Sequence, residues 1–482
     1  MTKEKDSKGI TAKKQENFSE WFSQIIKKAE IVDLRLDIKG FMVIRPWGAM
    51  ILENMFQFFS EELQKTGHKP TFMPSVVPEK NLKKESSHIK GFTPEVFWLK
   101  EINKEKLALR PTSETLYTPM FKLWVKSYRD LPLKLYQRGS VFRLDTKATR
   151  PLIRTREILW IEAHNAFATK QQAEEQVKED IEITEKVMYK DFGIPFLPMK
   201  RPSWDKFPGA EYTVGSDVMM PDGKLIQQPS THFMGQKFSK AFDAKFKNEK
   251  EQEDYLYTTA YGPAMSRILV SVISTHGDDK GLILPFSLTP LHTIIIPIYN
   301  KENKTKVINE CKKINSKILS LGLKSEIDLS EKTPGEKFNI WELKGVPMRI
   351  EIGEKELKEK KVTLFLRDIR KKESLSLTSL SKLKQIGKEY NKRLLKKADK
   401  MFEGKIINCK IKSEIKNILN QGKIARINFC STEEGTKCAE VVEKEFNGDI
   451  RGILANQNEK SSGNCVICGK PATEVAYVGR SY

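Results

Sequence analysis

Arg110-Pro-Thr-Ser-Glu114 puts a cation, two hydroxyls and a carboxylate within five residues, and Arg143 and Arg267 stand downstream. These residue types suit a reaction that joins a carboxylate to the α-phosphate of ATP. Both reactants are anionic, so catalysis needs positive charge on each and a fixed in-line geometry. Thr112 and Glu114 would hold the amino end of the carboxylate substrate. The same five residues also read as a proline-initiated helix with a Ser/Thr cap.

Elements must position these groups. Period-two alternation predicts strands over Leu133–Arg143 and Arg156–Phe167, joined by the polar, basic loop Leu144–Arg154. The pair reads as a flat platform with a mobile, phosphate-seeking flap. On the second strand Trp160, Glu162 and His164 share one face, and Leu159, Ile161 and Ala163 the other. An aromatic ring, a carboxylate and an imidazole in a row suit a pocket floor, with a solvent-facing edge strand as the bland alternative. Phe207-Pro-Gly-Ala210 and Gln227–His232 supply candidate walls, although His232 alone would more often be a core histidine. Gly262-Pro-Ala-Met-Ser-Arg267 opens a helix, where backbone N–H groups can meet phosphate.

With 482 residues the chain is expected to form about three domains, and 39% hydrophobic content is enough for packed cores. A formal net charge of +21 favours a polyanionic partner such as nucleic acid, though lysine-rich composition gives the same bias alone. The charged start, Met1 to Lys8, has no apolar signal core, and Ile294–Ile298 is too short to span a bilayer. A soluble cytoplasmic protein without membrane contact is the expectation. Four of six cysteines, Cys430, Cys438, Cys465 and Cys468, fall in the tail. Cys465-Val-Ile-Cys468 resembles a zinc knuckle, and the other two could complete a structural four-thiolate site, with reduced bystander thiols as the alternative.

Helices are predicted within 1–39, over 48–66 ended by Gly67, after Glu114 and over 170–190, with a buried helix from Ala264 to His276. Composition changes at Pro290, where strands near 291–299, 323–328, 346–352 and 361–367 alternate with helices, as in a small α/β domain. A strand at Ala425–Cys430 belongs to a third unit. The expected boundaries are 1–286, 287–395 and 396–482.

Together these segments resemble prolyl-tRNA synthetases of the archaeal/eukaryotic type, within class II aminoacyl-tRNA synthetases. The resemblance runs from Gly67-His68 and Phe72-Met-Pro74 through Arg110–Glu114, Tyr128–Pro132, Leu152–Glu157 and Leu159–His164. It continues through Phe233–Gln236, His276–Gly281, Lys344–Gly353 and Gly479–Tyr482. It implies an antiparallel-sheet catalytic domain, an α/β anticodon-binding domain and a small zinc-binding α/β domain. The implied activity is proline activation by ATP with Mg²⁺, then transfer to tRNA(Pro), in a homodimer.

Residue by residue, the resemblance implies that Thr112 and Glu114 hold the proline imino group, while Arg143 bridges the carboxylate and the α-phosphate. Trp160, Glu162, Phe207 and His232 would line the pyrrolidine pocket. Arg154, Gln227 and Ser230 would contact ATP, with Arg267 on the γ-phosphate. Glu342, Arg349 and Lys355 would read the anticodon, and the Tyr482 carboxylate would fold back toward the active site. Threonyl enzymes hold their substrate on an active-site zinc, yet no cysteine precedes Cys311 here. About 90 residues separate His164 from Thr258, which leaves no room for the bacterial editing insertion. The chain departs from the family with Arg138-Gly139 in the first strand, Gly215-Ser216-Asp217, Gln228–Thr231, and Ala260-Tyr-Gly-Pro-Ala264.

Overall fold

The two predicted platform strands form an antiparallel hairpin, in register from Leu133↔Ala166 to Phe142↔Glu157. The computed structural model describes residues 9–84, 96–101, 105–144 and 148–482. The charged start, Met1 to Lys8, lies outside the described residues, as do loop residues 145–147. One face of the hairpin sends Leu159, Ile161 and Ala163 into the main core, beneath the helices Pro46–Lys65 and Met265–His276. The other face is left for the candidate site. This sidedness follows from the period of two.

The hairpin sits near one end of a sheet of eleven strands among the described residues. Next to Glu157–Phe167 lie Tyr257–Gly262, Lys224–Gly235, Tyr212–Met219 and Leu197–Lys200, all antiparallel. The sheet then runs into the tail of the chain. Ile453 pairs with Lys200 and Leu454 with Met199, while Lys224 and Leu225 pair in parallel with Arg480 and Ser481. The strands read as part of a third unit thus continue the same sheet. Gly452 permits this: its φ of +119° suits glycine, and a Cβ would lie 2.0 Å from the Lys200 carbonyl oxygen.

The loop between the hairpin strands differs from the expected mobile flap. Its described second half is pinned, because Leu152 and Ile153 are buried in the main core. Arg150 and Arg154 also exchange backbone hydrogen bonds across a tight turn. The lead-in helix is Phe18–Lys28, whose Trp21, Phe22, Ile25 and Ile26 are buried. The next helix, Pro46–Lys65, starts two residues earlier than read, on the proline that suits a first turn.

The second core belongs to a five-stranded sheet, ordered Ser325–Ile327, Thr293–Pro297, Met348–Ile352, Lys361–Leu366 and Lys371–Ser376. The last strand escapes sequence reading because Lys-Lys-Glu-Ser-Leu-Ser offers only one buried side chain, Leu375. Buried Arg367 clamps this unit to the segment after the helix Met265–His276 with two hydrogen bonds to Asp278, at 2.8 and 2.6 Å.

Candidate active site

Thr112, Ser113, Glu114, Glu162 and His164 are almost wholly buried, and the first four are joined by hydrogen bonds within the group. Thr112 Oγ1 lies 2.6 Å from Glu114 Oε2 and 3.1 Å from Glu162 Oε1. Ser113 donates to Glu162 Oε2 at 2.5 Å, and Gln137 Nε2 donates to the same oxygen at 2.9 Å. Gln137 is oriented in turn by its other end, which accepts from Arg110 and from the Met73 amide. Arg110 is thus a scaffold cation beneath the site, also bonded to the Met73 and Ser140 carbonyls. Gly139 clears space for it, since a Cβ there would stand 2.6 Å from Arg110 Nη2.

Two buried carboxylates sharing one hydroxyl leave a site of negative potential, suited to a small cation. Burial pushes Glu162 up, but His164, the Ser113 hydrogen bond and Arg110 hold its carboxyl down, at about 2. The cavity above these groups measures about 280 Å³. Its remaining walls include Trp160, Phe207, His232 and Arg143. Phe207 and His232 pack ring to ring at 4.5 Å, and His232 is bonded at both nitrogens, to Thr213 and Ser230. Burial lowers His232 to about 3, with Arg143 and His164 adding to the effect, so the imidazole is neutral near pH 7. Gly262 admits the Trp160 indole, which a Cβ would meet at 2.6 Å.

Arg143 and Arg267 bring positive charge to the lining of this cavity. Arg143 hydrogen-bonds the Pro111 carbonyl at 3.1 Å, its guanidinium 5.5 Å from the Trp160 ring centre. Arg267, in the first turn of the helix Met265–His276, bonds the Ile153 carbonyl at 3.1 Å. Gln227 and Arg267 also line a neighbouring cavity of about 200 Å³, together with Arg154 and Tyr482. Arg154 donates to the Tyr482 backbone oxygen at 3.0 Å. An apolar slot, a cation-selective floor and a row of arginines therefore adjoin one another. Such a set can seat a small ring with a positive nitrogen and a carboxylate beside a polyphosphate.

Known proteins resemble this chain over nearly its whole length. Residues 97–276 match the tRNA synthetase class II core domain (G, H, P, S and T), 292–385 an anticodon binding domain, and 412–482 the prolyl-tRNA synthetase C-terminal family. A Proline--tRNA ligase of Thermofilum pendens is 46% identical over 482 residues, covering 98% of this chain and 99% of that protein. One from Methanopyrus kandleri is 39% identical, covering 96% of each. The chain belongs to the prolyl-tRNA synthetase family. Among solved members, a Giardia lamblia prolyl-tRNA synthetase in complex with prolyl-adenylate superposes with a TM-score of 0.94 at 36% identity, covering 98% of this chain and all of that one. The Cryptosporidium parvum enzyme complexed with halofuginone and AMPPNP gives 0.91 at 34%, with the same coverage.

Two further groups of the residues singled out in the sequence lie away from this cavity. The Sγ atoms of Cys430, Cys438, Cys465 and Cys468 all lie within 4.8 Å of one another, with Cys430 and Cys438 3.7 Å apart. The long Cys430–Cys438 gap is bridged by the turn into the helix Thr436–Phe446, which carries Cys438. Of the three residues read as anticodon contacts, Arg349 lies within electrostatic reach of Glu342 and of its partner Arg370. Arg349 is buried between the Phe338 and Phe365 rings at 4.0 and 4.1 Å and bonded to Glu351 at 2.8 Å. Glu342 pairs with Arg370, and Lys355 is exposed on the helix Glu354–Lys358.

Sequence reading missed Ser113, Gln137, Thr213 and Ala260–Gly262 as parts of the site. Gln137 is set directly opposite Glu162 by the hairpin register, which the structure supplies. The role of Thr213 likewise depends on a neighbouring strand brought alongside by folding.

Proposed function

We propose that this chain is a proline–tRNA ligase. It activates L-proline with ATP to prolyl-adenylate and transfers the prolyl group to the 3′ end of tRNA(Pro). The observation that carries this reading is the pair Glu114 and Glu162, buried at the floor of a slot walled by Trp160, Phe207 and His232, with Arg143 at its rim. A pyrrolidine ring fills the slot and its secondary ammonium meets Thr112 and the two carboxylates. Arg143 draws the substrate carboxylate against the α-phosphate. One carboxylate oxygen attacks that phosphorus, the bond to the β-phosphate breaks, and pyrophosphate leaves. The terminal ribose hydroxyl of tRNA then attacks the acyl carbon and AMP departs.

Arg154, Gln227, Ser230 and Arg267 take the nucleotide side, and Mg²⁺ accompanies the triphosphate and offsets its charge. Positioning and charge stabilisation supply the rate, without a covalent enzyme intermediate. Glu342, Arg349 and Lys355 serve the anticodon, and the Tyr482 carboxylate closes the nucleotide side. The four thiolates suit Zn²⁺, since tetrahedral bonds of about 2.3 Å separate sulfurs by roughly 3.8 Å, and four sulfurs leave no open position for catalysis. Homodimer formation belongs to the same proposal, supported by Phe72, which is 85% exposed beside the Met73-Pro74 segment that braces Arg110. Among the described residues no helix is long and apolar enough to cross a membrane. The cytoplasm, where translation runs, is the proposed location.

ATP–pyrophosphate exchange, measured with each amino acid in turn, tests the reading. Proline alone is expected to support strong exchange, and Arg143→Ala to lower kcat/KM about 100- to 1,000-fold. Exchange with another amino acid, or near-normal Arg143→Ala, overturns it. A regulatory RNA-binding protein that only keeps the fold would show no exchange at all.

A further inference from the structure

Asp217 is completely buried on the strand Tyr212–Met219 and accepts four hydrogen bonds from two arginines. Arg201 Nη1 and Nη2 approach at 2.9 and 2.5 Å, and Arg451 Nε and Nη2 at 2.8 and 3.0 Å. Arg451 comes from Asp449–Leu454, a strand of the C-terminal unit more than 200 residues further along the chain. Its own backbone oxygen accepts from Arg201 Nη1 at 3.0 Å, so the two arginines are tied to each other as well. Burial pushes Asp217 up, yet the two guanidinium groups hold its carboxyl far below the usual carboxylate range.

The network has an outlet. Arg201 Nη2 donates to Gln227 Oε1 at 3.1 Å, and Gln227 borders both the 280 Å³ and the 200 Å³ cavities. With its oxygen taken by Arg201, the Gln227 amide must turn its N–H₂ donors toward the nucleotide side. Gly215 shows how closely Arg201 is held: a Cβ there would lie 2.6 Å from Nη2. Without Arg451, Asp217 would lose two of its four donors and draw harder on Arg201, whose Nη2 it already shares with Gln227. The carboxylate is the stronger acceptor, and Gln227 would be released.

We propose that Arg451 is a positioning residue for ATP, by which the C-terminal unit fixes the Gln227 amide through Asp217 and Arg201. The inference rests on the ATP-side role given to Gln227 above. It explains why the tail pairs edge to edge with the catalytic sheet at Lys200, the neighbour of Arg201.

The test compares Arg451→Met, Gln227→Ala and the double variant in the full-length protein. Steady-state exchange gives KM for ATP and for proline, single-turnover adenylate formation counts active sites, and calorimetry measures ATP binding without proline. Each single variant is expected to raise KM and Kd for ATP about tenfold, the usual scale for one charge-assisted hydrogen bond, with KM for proline unchanged. The double variant is expected to be no worse than the weaker-binding single, because both act through one amide. Arg451→Lys, which keeps the charge but loses the fork, should fall between wild type and Arg451→Met, and it carries the test if Arg451→Met does not fold. Multiplying effects in the double variant, or fewer active sites with unchanged ATP affinity, would overturn the proposal. If wild type shows no proline-dependent exchange, the ligase reading fails by itself, and the ATP-binding cycle still decides the role of Arg451.

Discussion

Glu162 keeps its charge although almost no solvent reaches it. Burial favours the protonated acid, but His164, the Ser113 and Gln137 hydrogen bonds and the Arg110 charge favour the anion and win. Its pKa lies below the ordinary 4.5, so this contribution to stability is complete above about pH 4.5 and is lost as pH falls toward about 2. Removing one donor should therefore be felt by the substrate nitrogen rather than by ATP. Ser113→Ala is expected to raise KM for proline roughly tenfold and to cost about 1.5–3 kcal/mol of stability, with KM for ATP unchanged. Steady-state exchange and urea unfolding check the two parts. Thr112 and Glu114 stand out in the sequence because their types announce the chemistry. Ser113 and Gln137 do not, since they act on Glu162 rather than on a substrate.

At the scale of elements, the helix Lys170–Thr184 is held to the strand Lys224–Gly235 by a buried carboxyl. Asp180 accepts from Thr231 at 2.7 Å and from Gln176 at 2.8 Å, with no cation among the described residues bonded to it. Burial raises its pKa from 3.8 to about 7, against the smaller pull of those two hydrogen bonds. A raised carboxyl stabilises the folded state at low pH. Between about pH 4 and 7 the unfolded chain gives up this proton more readily, so stability falls across that window and then levels off. Asp180→Asn removes this dependence. Its Tm relative to wild type should be higher at pH 8 than at pH 5, which scanning calorimetry at the two values measures. An equal Tm difference at both would show that Asp180 is not protonated in the fold. The helix itself was legible as a charged helix over 170–190. Its anchor was not, because an Asp within Glu-Asp-Ile-Glu reads as one more exposed charge.

For the whole molecule, the consequential feature is one sheet running from the motif-bearing hairpin into the tail. The proposed zinc site therefore braces a unit that delivers both Arg451 and Tyr482 to the nucleotide side. Native mass spectrometry of the full-length protein is expected to show a dimer carrying one zinc per chain. Stripping the metal should lower Tm and raise KM for ATP while leaving KM for proline nearly unchanged. A metal-free monomer of full activity would remove both the dimer and the zinc from the proposal.

By itself the sequence determined the elements and the chemical types: the hairpin faces, the buried helix bearing Arg267, the α/β unit after Pro290, and the four thiols. These follow from local periodicity, turn residues and side-chain chemistry, all carried by neighbours in the chain. Only the tertiary structure decided that the tail joins the catalytic sheet and that Arg110 is scaffold while Glu162 stays ionised. It also linked Gln227, through Arg201 and Asp217, to an arginine from the far end of the chain. Those outcomes depend on distances between residues far apart in sequence and on how much water each charge loses, and neither quantity is carried by a string of residues.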